Sequence, residues 1–219
     1  MTLDRERLWT VIDEERTYLA DLLADLADDE WTQPSLCAGW TVRDVAAHLT
    51  LQQLGFADLP GFLRRWRGSM NRTIQHVARV KAAEVPTDHL IAEIRAMVGS
   101  RRYSLGVTPL ESLIDVLVHI QDIAIPLGRH HDMPPDAAAV AATRTLSMRW
   151  PPPLPAVRKL AGLRLTATDT DWSAGSGPEV AGPMSALLLL STGRLAALPR
   201  VTGDGVAILA DRFSAAAPA

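Results

Sequence analysis

Four of the five residues from 151 to 155 are proline, and this run separates two stretches of chain with different hydrophobic periods. Proline lacks the amide hydrogen that a helix needs and clashes with the preceding turn, so the run favours an extended polyproline conformation and stops any helix reaching it. Before it, apolar residues recur at three- and four-residue spacing. After it, Leu163, Leu165 and Ala167 alternate with Arg164, Thr166 and Thr168. The first pattern is that of amphipathic helices, the second that of a half-buried strand. The expected fold is therefore mainly α, with a helical bundle over residues 1–150 and a small α/β domain over 151–219, the latter of a size at which a core is marginal.

Within the first stretch, Leu8, Val11, Ile12, Leu19, Leu22, Leu23 and Leu26 predict one amphipathic helix over about 4–27. The 28–40 stretch carries Pro34, Ser35 and Gly39 without a period and reads as a loop. Thr41 with Asp44 three residues later is a capping-box pair, and it opens a helix that carries His48 at the margin of its apolar stripe. Further helices are expected over about 61–82 and 87–99, then from Pro109 until Pro126 and Gly128 end it, and over about 135–149. Beyond the prolines come the strand, a turn near 175–177, a helix over 183–194 and a final 201–209 segment broken by Gly203, Asp204 and Gly205.

Composition excludes several functions. A chain of 219 residues with 47% hydrophobic content can bury a core. No apolar run, the leucine-rich 186–190 included, approaches the roughly 20 residues of a membrane span. Asp4, Arg5, Glu6 and Arg7 interrupt the amino terminus where a signal peptide is apolar, so a soluble cytoplasmic protein without a membrane partner is expected. A net charge of -3 argues against general nucleic-acid binding. Arg64, Arg65, Arg67, Arg72, Arg79, Lys81, Arg101 and Arg102 do gather locally. Such a run is commonly a solvated helix face, the sharper alternative being a patch that draws carboxylate-bearing substrates. Arginine far outnumbers lysine, which occurs only at Lys81 and Lys159, as in a GC-rich bacterial genome. Cys37 is the only cysteine, so disulfides and thiolate zinc knots are excluded and any metal must use histidine and carboxylate.

On the Pro109 helix, Glu111, Asp115, His119 and Asp122 form one polar seam beside the apolar stripe. Ligands four residues apart on a helix can meet one ion, the device used by bundle metal sites. The same spacing also describes an ordinary surface pair, and a lone His48 is commonly a satisfied core histidine.

The surrounding residues decide between these readings. The 31–49 stretch, WTQPSLCAGWTVRDVAAHL, closely resembles the amino-terminal signature of the mycothiol-dependent maleylpyruvate isomerase family, one of the DinB-like helical-bundle metalloenzymes. The 115–124 stretch, DVLVHIQDIA, resembles the segment in which that family places a carboxylate four residues before a metal histidine. The resemblance extends over the bundle, about residues 5–150. The tail is similar to the family's small sterol-carrier-like second domain through Trp172, the 187–190 leucines, Gly193, Arg194, Gly203 and Asp204.

The resemblance implies a DinB-like four-helix bundle in which His48, Asp115 and His119 bind one divalent metal, zinc in most members. It implies mycothiol as a low-molecular-weight thiol cosubstrate, a small electrophilic substrate, and Arg194 as a contact for a substrate carboxylate. Asp115 stands where the family generally has Glu. Its shorter arm requires closer helices or leaves a weaker third ligand, with Glu111 one turn earlier as a substitute. Three nitrogen and oxygen ligands leave an open position, the pattern of a catalytic zinc. A thiol deprotonated there would be the nucleophile of an S-transferase or of a maleylpyruvate-type cis-trans isomerase. The same centre activating water would make a hydrolase, and a centre that only binds metal or ligand would be non-catalytic. Asp44 and Asp122 are candidates for orienting the ligand imidazoles, the capping box already accounting for Asp44. Cys37 has no evident helix-borne base partner and reads as a small buried hydrophobe, while His76, His89, His130 and His131 read as surface histidines. Substrate and oligomeric state are not encoded in these patterns.

Overall fold

The computed structural model describes residues 3–215, and their contacts fall into two compact units, Arg5–His131 and one that runs from Asp132 to the end of the described chain. The first holds six helices: α1 (Arg5–Ala24), α2 (Val42–Leu49), α3 (Leu59–Arg64), α4 (Met70–Glu84), α5 (Thr87–Ala96) and α6 (Pro109–Ala124). The apolar stripe expected on α1 is buried along its length. Thr41 caps α2 by accepting from Asp44 N at 3.2 Å, while the Asp44 carboxylate accepts from Thr41 N at 2.9 Å. The single helix expected over 61–82 is two, because Gly68 turns the chain at a φ of +84° and Ser69 then caps α4 by accepting from Arg72 N.

Helix α2 packs against α4, α5 and α6, and α1 packs against α5 and α6. Their shared core includes Leu19, Leu23, Trp31, Trp40, Val45, Ile94, Val116, Ile120 and Ile123. Each large apolar side chain buried there contributes about 1.5–3 kcal/mol. This core fixes α2 and α6 side by side, which is what positions the polar residues on their margins. Arg16 is buried as well, and it donates to Met97 O at 3.0 Å, satisfying a carbonyl at the end of α5.

The second unit comprises α7 (Pro135–Ser147), α8 (Pro155–Lys159), β1 (Arg164–Ala167), β2 (Ser173–Gly175), β3 (Glu179–Gly182), α9 (Met184–Ser191) and α10 (Gly205–Ser214). Its sheet has the order β2-β1-β3, antiparallel between β1 and β2 and parallel between β1 and β3. The expected alternation holds over residues 163–165, with Leu163 and Leu165 buried and Arg164 exposed, whereas Thr166 and Ala167 are both half-buried. Contacts divide the chain between residues 131 and 132, not at the 150/151 break expected from the prolines. The physical reason is α9, whose 186–190 residues are buried around the whole circumference and therefore need cover on several sides. Helix α7 supplies part of it, with α8, β1, β3 and the 195–200 turn supplying the rest. Trp172 Nε1 also donates to Thr143 Oγ1 of α7 at 2.9 Å. The final segment makes one bridge, Ala181 to Thr202, and then turns into α10. At Gly203, with a φ of +111°, a side chain would collide with the Glu179 carbonyl. No helix among the described residues is long and apolar enough to cross a membrane.

Candidate metal centre

Pro109 pre-sets the first turn of α6, and Thr108 and Glu111 close a capping box over it. From there the helical period carries Asp115, His119 and Asp122 along one edge of a helix whose other faces are buried. His48 meets them from α2. One ligand atom from each of His48, Asp115 and His119 lies within 4.8 Å of the others. His48 Nε2 stands 3.9 Å from Asp115 Oδ2, and the two imidazoles meet edge to face with centroids 4.9 Å apart. Their side chains are 15% and 11% exposed, whereas Asp115 is 40% exposed, so the cluster opens on its carboxylate side. Two imidazoles and a carboxylate converging in this way are a donor set suited to zinc or a similar divalent ion.

Behind His119 lies a second set of contacts. Its Nδ1 is 2.7 Å from Asp122 Oδ2, and the Asp122 side chain has no exposure to solvent. A carboxylate can only accept, so Nδ1 carries the proton and Nε2 is the nitrogen offered to an ion. Burial opposes a charge on this imidazole, but its contacts with Asp122, foremost, and with Cys37 outweigh it and push its pKa up to about 10. An ion arriving at Nε2 must therefore displace a proton.

The 34–40 loop closes over this arrangement. Leu36 N donates to the Asp122 main-chain oxygen at 3.1 Å, and Arg79 donates to Gly39 O at 2.7 Å. Trp40 sets its ring edge-on to His48 with centroids 5.4 Å apart. Cys37, which the sequence leaves without a base partner, sits with Sγ 3.1 Å from Asp122 Oδ2 and 3.7 Å from His119 Nδ1. Nothing in the spacing of the chain joins residue 37 to residue 119; the folded loop does.

The remaining expected residues stand elsewhere. Glu111 is held in the capping box, its Oε2 taking both Thr108 N and Thr108 Oγ1 at 2.6 Å, and it is not in the ligand cluster. Asp44 is likewise a cap. Arg194 lies in the second unit at the start of the 195–200 turn, where its guanidinium donates to Thr192 O at 2.7 Å. In the basic run, Lys81 pairs with Glu93 and Arg101 with Asp13, which together with Arg79 removes three cations from the expected patch. His131 is not a surface histidine: its side chain is 7% exposed, bonded to Glu15 at 2.7 Å and stacked on Tyr18.

Comparison with known proteins adds to this geometry. A family model described as the mycothiol maleylpyruvate isomerase N-terminal domain matches residues 12–102. The match takes in the 34–40 loop and His48 and stops before α6. An uncharacterized protein of Mycobacterium tuberculosis is 30% identical over 138 residues, spanning 58% of this chain and 72% of that protein, and the same match recurs in a second strain. The crystal structure of the mycothiol-dependent maleylpyruvate isomerase superposes with a TM-score of 0.64 at 17% identity, covering 93% of this chain and 96% of that one. A histidine-to-alanine mutant of that enzyme gives a TM-score of 0.63. At 17% identity, these superpositions establish a common fold.

Proposed function

The chain belongs to the mycothiol maleylpyruvate isomerase family, and from that premise we propose that it is a metal- and mycothiol-dependent enzyme, an S-transferase or a maleylpyruvate-type cis-trans isomerase. The observation that carries the reading is the convergence of His48, Asp115 and His119 from two helices onto a point that is open on one side. On the same reading the helical unit is the family's DinB-like four-helix bundle, the second unit is its sterol-carrier-like domain, and the protein works in the cytoplasm.

His48, Asp115 and His119 would hold the ion, zinc by the chemistry of the donors. A divalent ion there supplies Lewis acidity that favours the thiolate form of a thiol cosubstrate. Asp122 accepts the Nδ1 proton of His119 and fixes the ring, and the buried Trp40 packs edge-on against His48. The half-exposed Asp115 marks the side from which thiol and substrate approach. Addition of the thiolate to one carbon of an electron-poor double bond breaks the π bond and leaves its electron pair on the substrate, and return there of the proton that the thiol gave up gives a conjugate. Rotation about the former double bond and loss of the thiol gives the isomer. Arg194 is proposed as a contact for a substrate carboxylate on the strength of the resemblance alone.

The test is turnover by the zinc-loaded full chain offered mycothiol with maleylpyruvate and a panel of other electrophiles. Thiol consumption or isomerisation that needs both metal and mycothiol and is lost in His119→Ala is expected. Zinc-loaded protein that turns over none of them contradicts the proposal, and ester hydrolysis without thiol replaces it with a hydrolase.

A further inference from the structure

Resting on that metal reading and deepening it, we propose that Cys37 is a positioning residue, whose thiol fixes the carboxylate that orients His119. Asp122 is fully buried, and a carboxylate out of reach of water needs hydrogen-bond donors for its oxygens, which also fix its orientation. Two side chains meet the same oxygen: His119 Nδ1 reaches Asp122 Oδ2 at 2.7 Å and Cys37 Sγ reaches it at 3.1 Å. Because the carboxylate accepts only, the thiol is the donor. Sγ lies 3.7 Å from Nδ1, the nitrogen turned to Asp122, and Cys37 stands outside the His48, Asp115 and His119 cluster, so it is assigned no ligand role in that centre.

Cys37 is itself placed by its neighbours. Its backbone N donates to Ser35 Oγ at 3.2 Å and its carbonyl accepts from Trp40 N at 2.9 Å. With the Leu36 N bond to Asp122 O, the loop is attached to the last turn of α6 at two points, one on the main chain and one on the side chain. Its other end sets Trp40 against His48. One short loop therefore orients both imidazoles, Trp40 by direct packing and Cys37 through Asp122. A ligand ring held in this way has less freedom to lose when it binds an ion.

The experiment compares the full chain with Cys37→Ala and Cys37→Ser, measuring zinc affinity by chelator competition and the absorption spectrum of the cobalt(II) form. Cys37→Ala should lower zinc affinity about tenfold and shift the visible cobalt bands, while Cys37→Ser, which keeps a donor, should recover most of both. Zinc affinity and cobalt bands unchanged in Cys37→Ala overturn the inference and leave the metal reading intact. Equal loss in both variants also overturns it, since packing would then matter and not the donor. A near-ultraviolet sulfur-to-cobalt charge-transfer band present only with Cys37 makes the thiol a ligand and overturns it as well. A wild-type chain that takes up neither ion overturns the metal reading and this inference together.

Discussion

Asp122 Oδ2 accepts the Nδ1 proton of His119 across 2.7 Å inside a position fully closed to solvent. The bond does two things: it selects the tautomer that presents Nε2, and it raises the basicity of the ring as a ligand. Asp122→Asn preserves shape and an acceptor but removes the charge. Zinc affinity of that variant, measured against a competing chelator, should fall about 10- to 100-fold. An unchanged affinity would show that Asp122 serves only the fold.

The same pair makes metal uptake release a proton. Without an ion the His119 pKa is about 10, above the ordinary 6.5. A raised folded-state value means that its contribution to stability is complete below about 6.5 and fades as pH rises through about 10. At pH near 7.5 an ion binding at Nε2 should therefore expel about one proton from this ring. Calorimetric titration with zinc in buffers of different ionisation enthalpy measures the number. Wild type should release more than Asp122→Asn, and equal release by the two would contradict the coupling.

Asp115 and Glu111 are separated by one turn of α6 and are predicted to differ in what they do. Glu111→Ala removes half of a capping box, which typically costs about 1 kcal/mol, and should leave zinc content unchanged. Asp115→Asn should weaken zinc binding, and Asp115→Glu should keep it, because the longer arm starts from the same edge of the helix. Urea melts and metal analysis of the three variants separate the roles. Loss of zinc in Glu111→Ala would make the cap a ligand after all.

Much of the helical unit was legible because its signals are local. The α1 stripe, the Thr41 and Asp44 cap of α2 and the proline start of α6 each lie within one or two turns of chain. The Asp115, His119 and Asp122 seam was legible for the same reason, while His48 joined it through the resemblance and then through the packing of α2 on α6. What escaped is non-local. Cys37 reaches Asp122 only because a loop folds over α6 some 85 residues later in the chain, and His131 is buried only because Glu15 and Tyr18 of α1 meet it. The proline run does end a helix, but it marks a local break, whereas α7 belongs where α9 needs cover. The break between α3 and α4 was readable from Gly68 and Ser69, which an apolar period alone overlooks.

The central claim is that His48, Asp115 and His119 hold one divalent ion. Its most direct test is metal analysis of the full chain, purified and then loaded with zinc, beside His48→Ala, Asp115→Ala and His119→Ala. About one zinc per chain is expected in the wild type, with marked loss in each variant while the helical circular dichroism is retained. Zinc content that is the same in all four proteins, or absent from the wild type, would contradict the account.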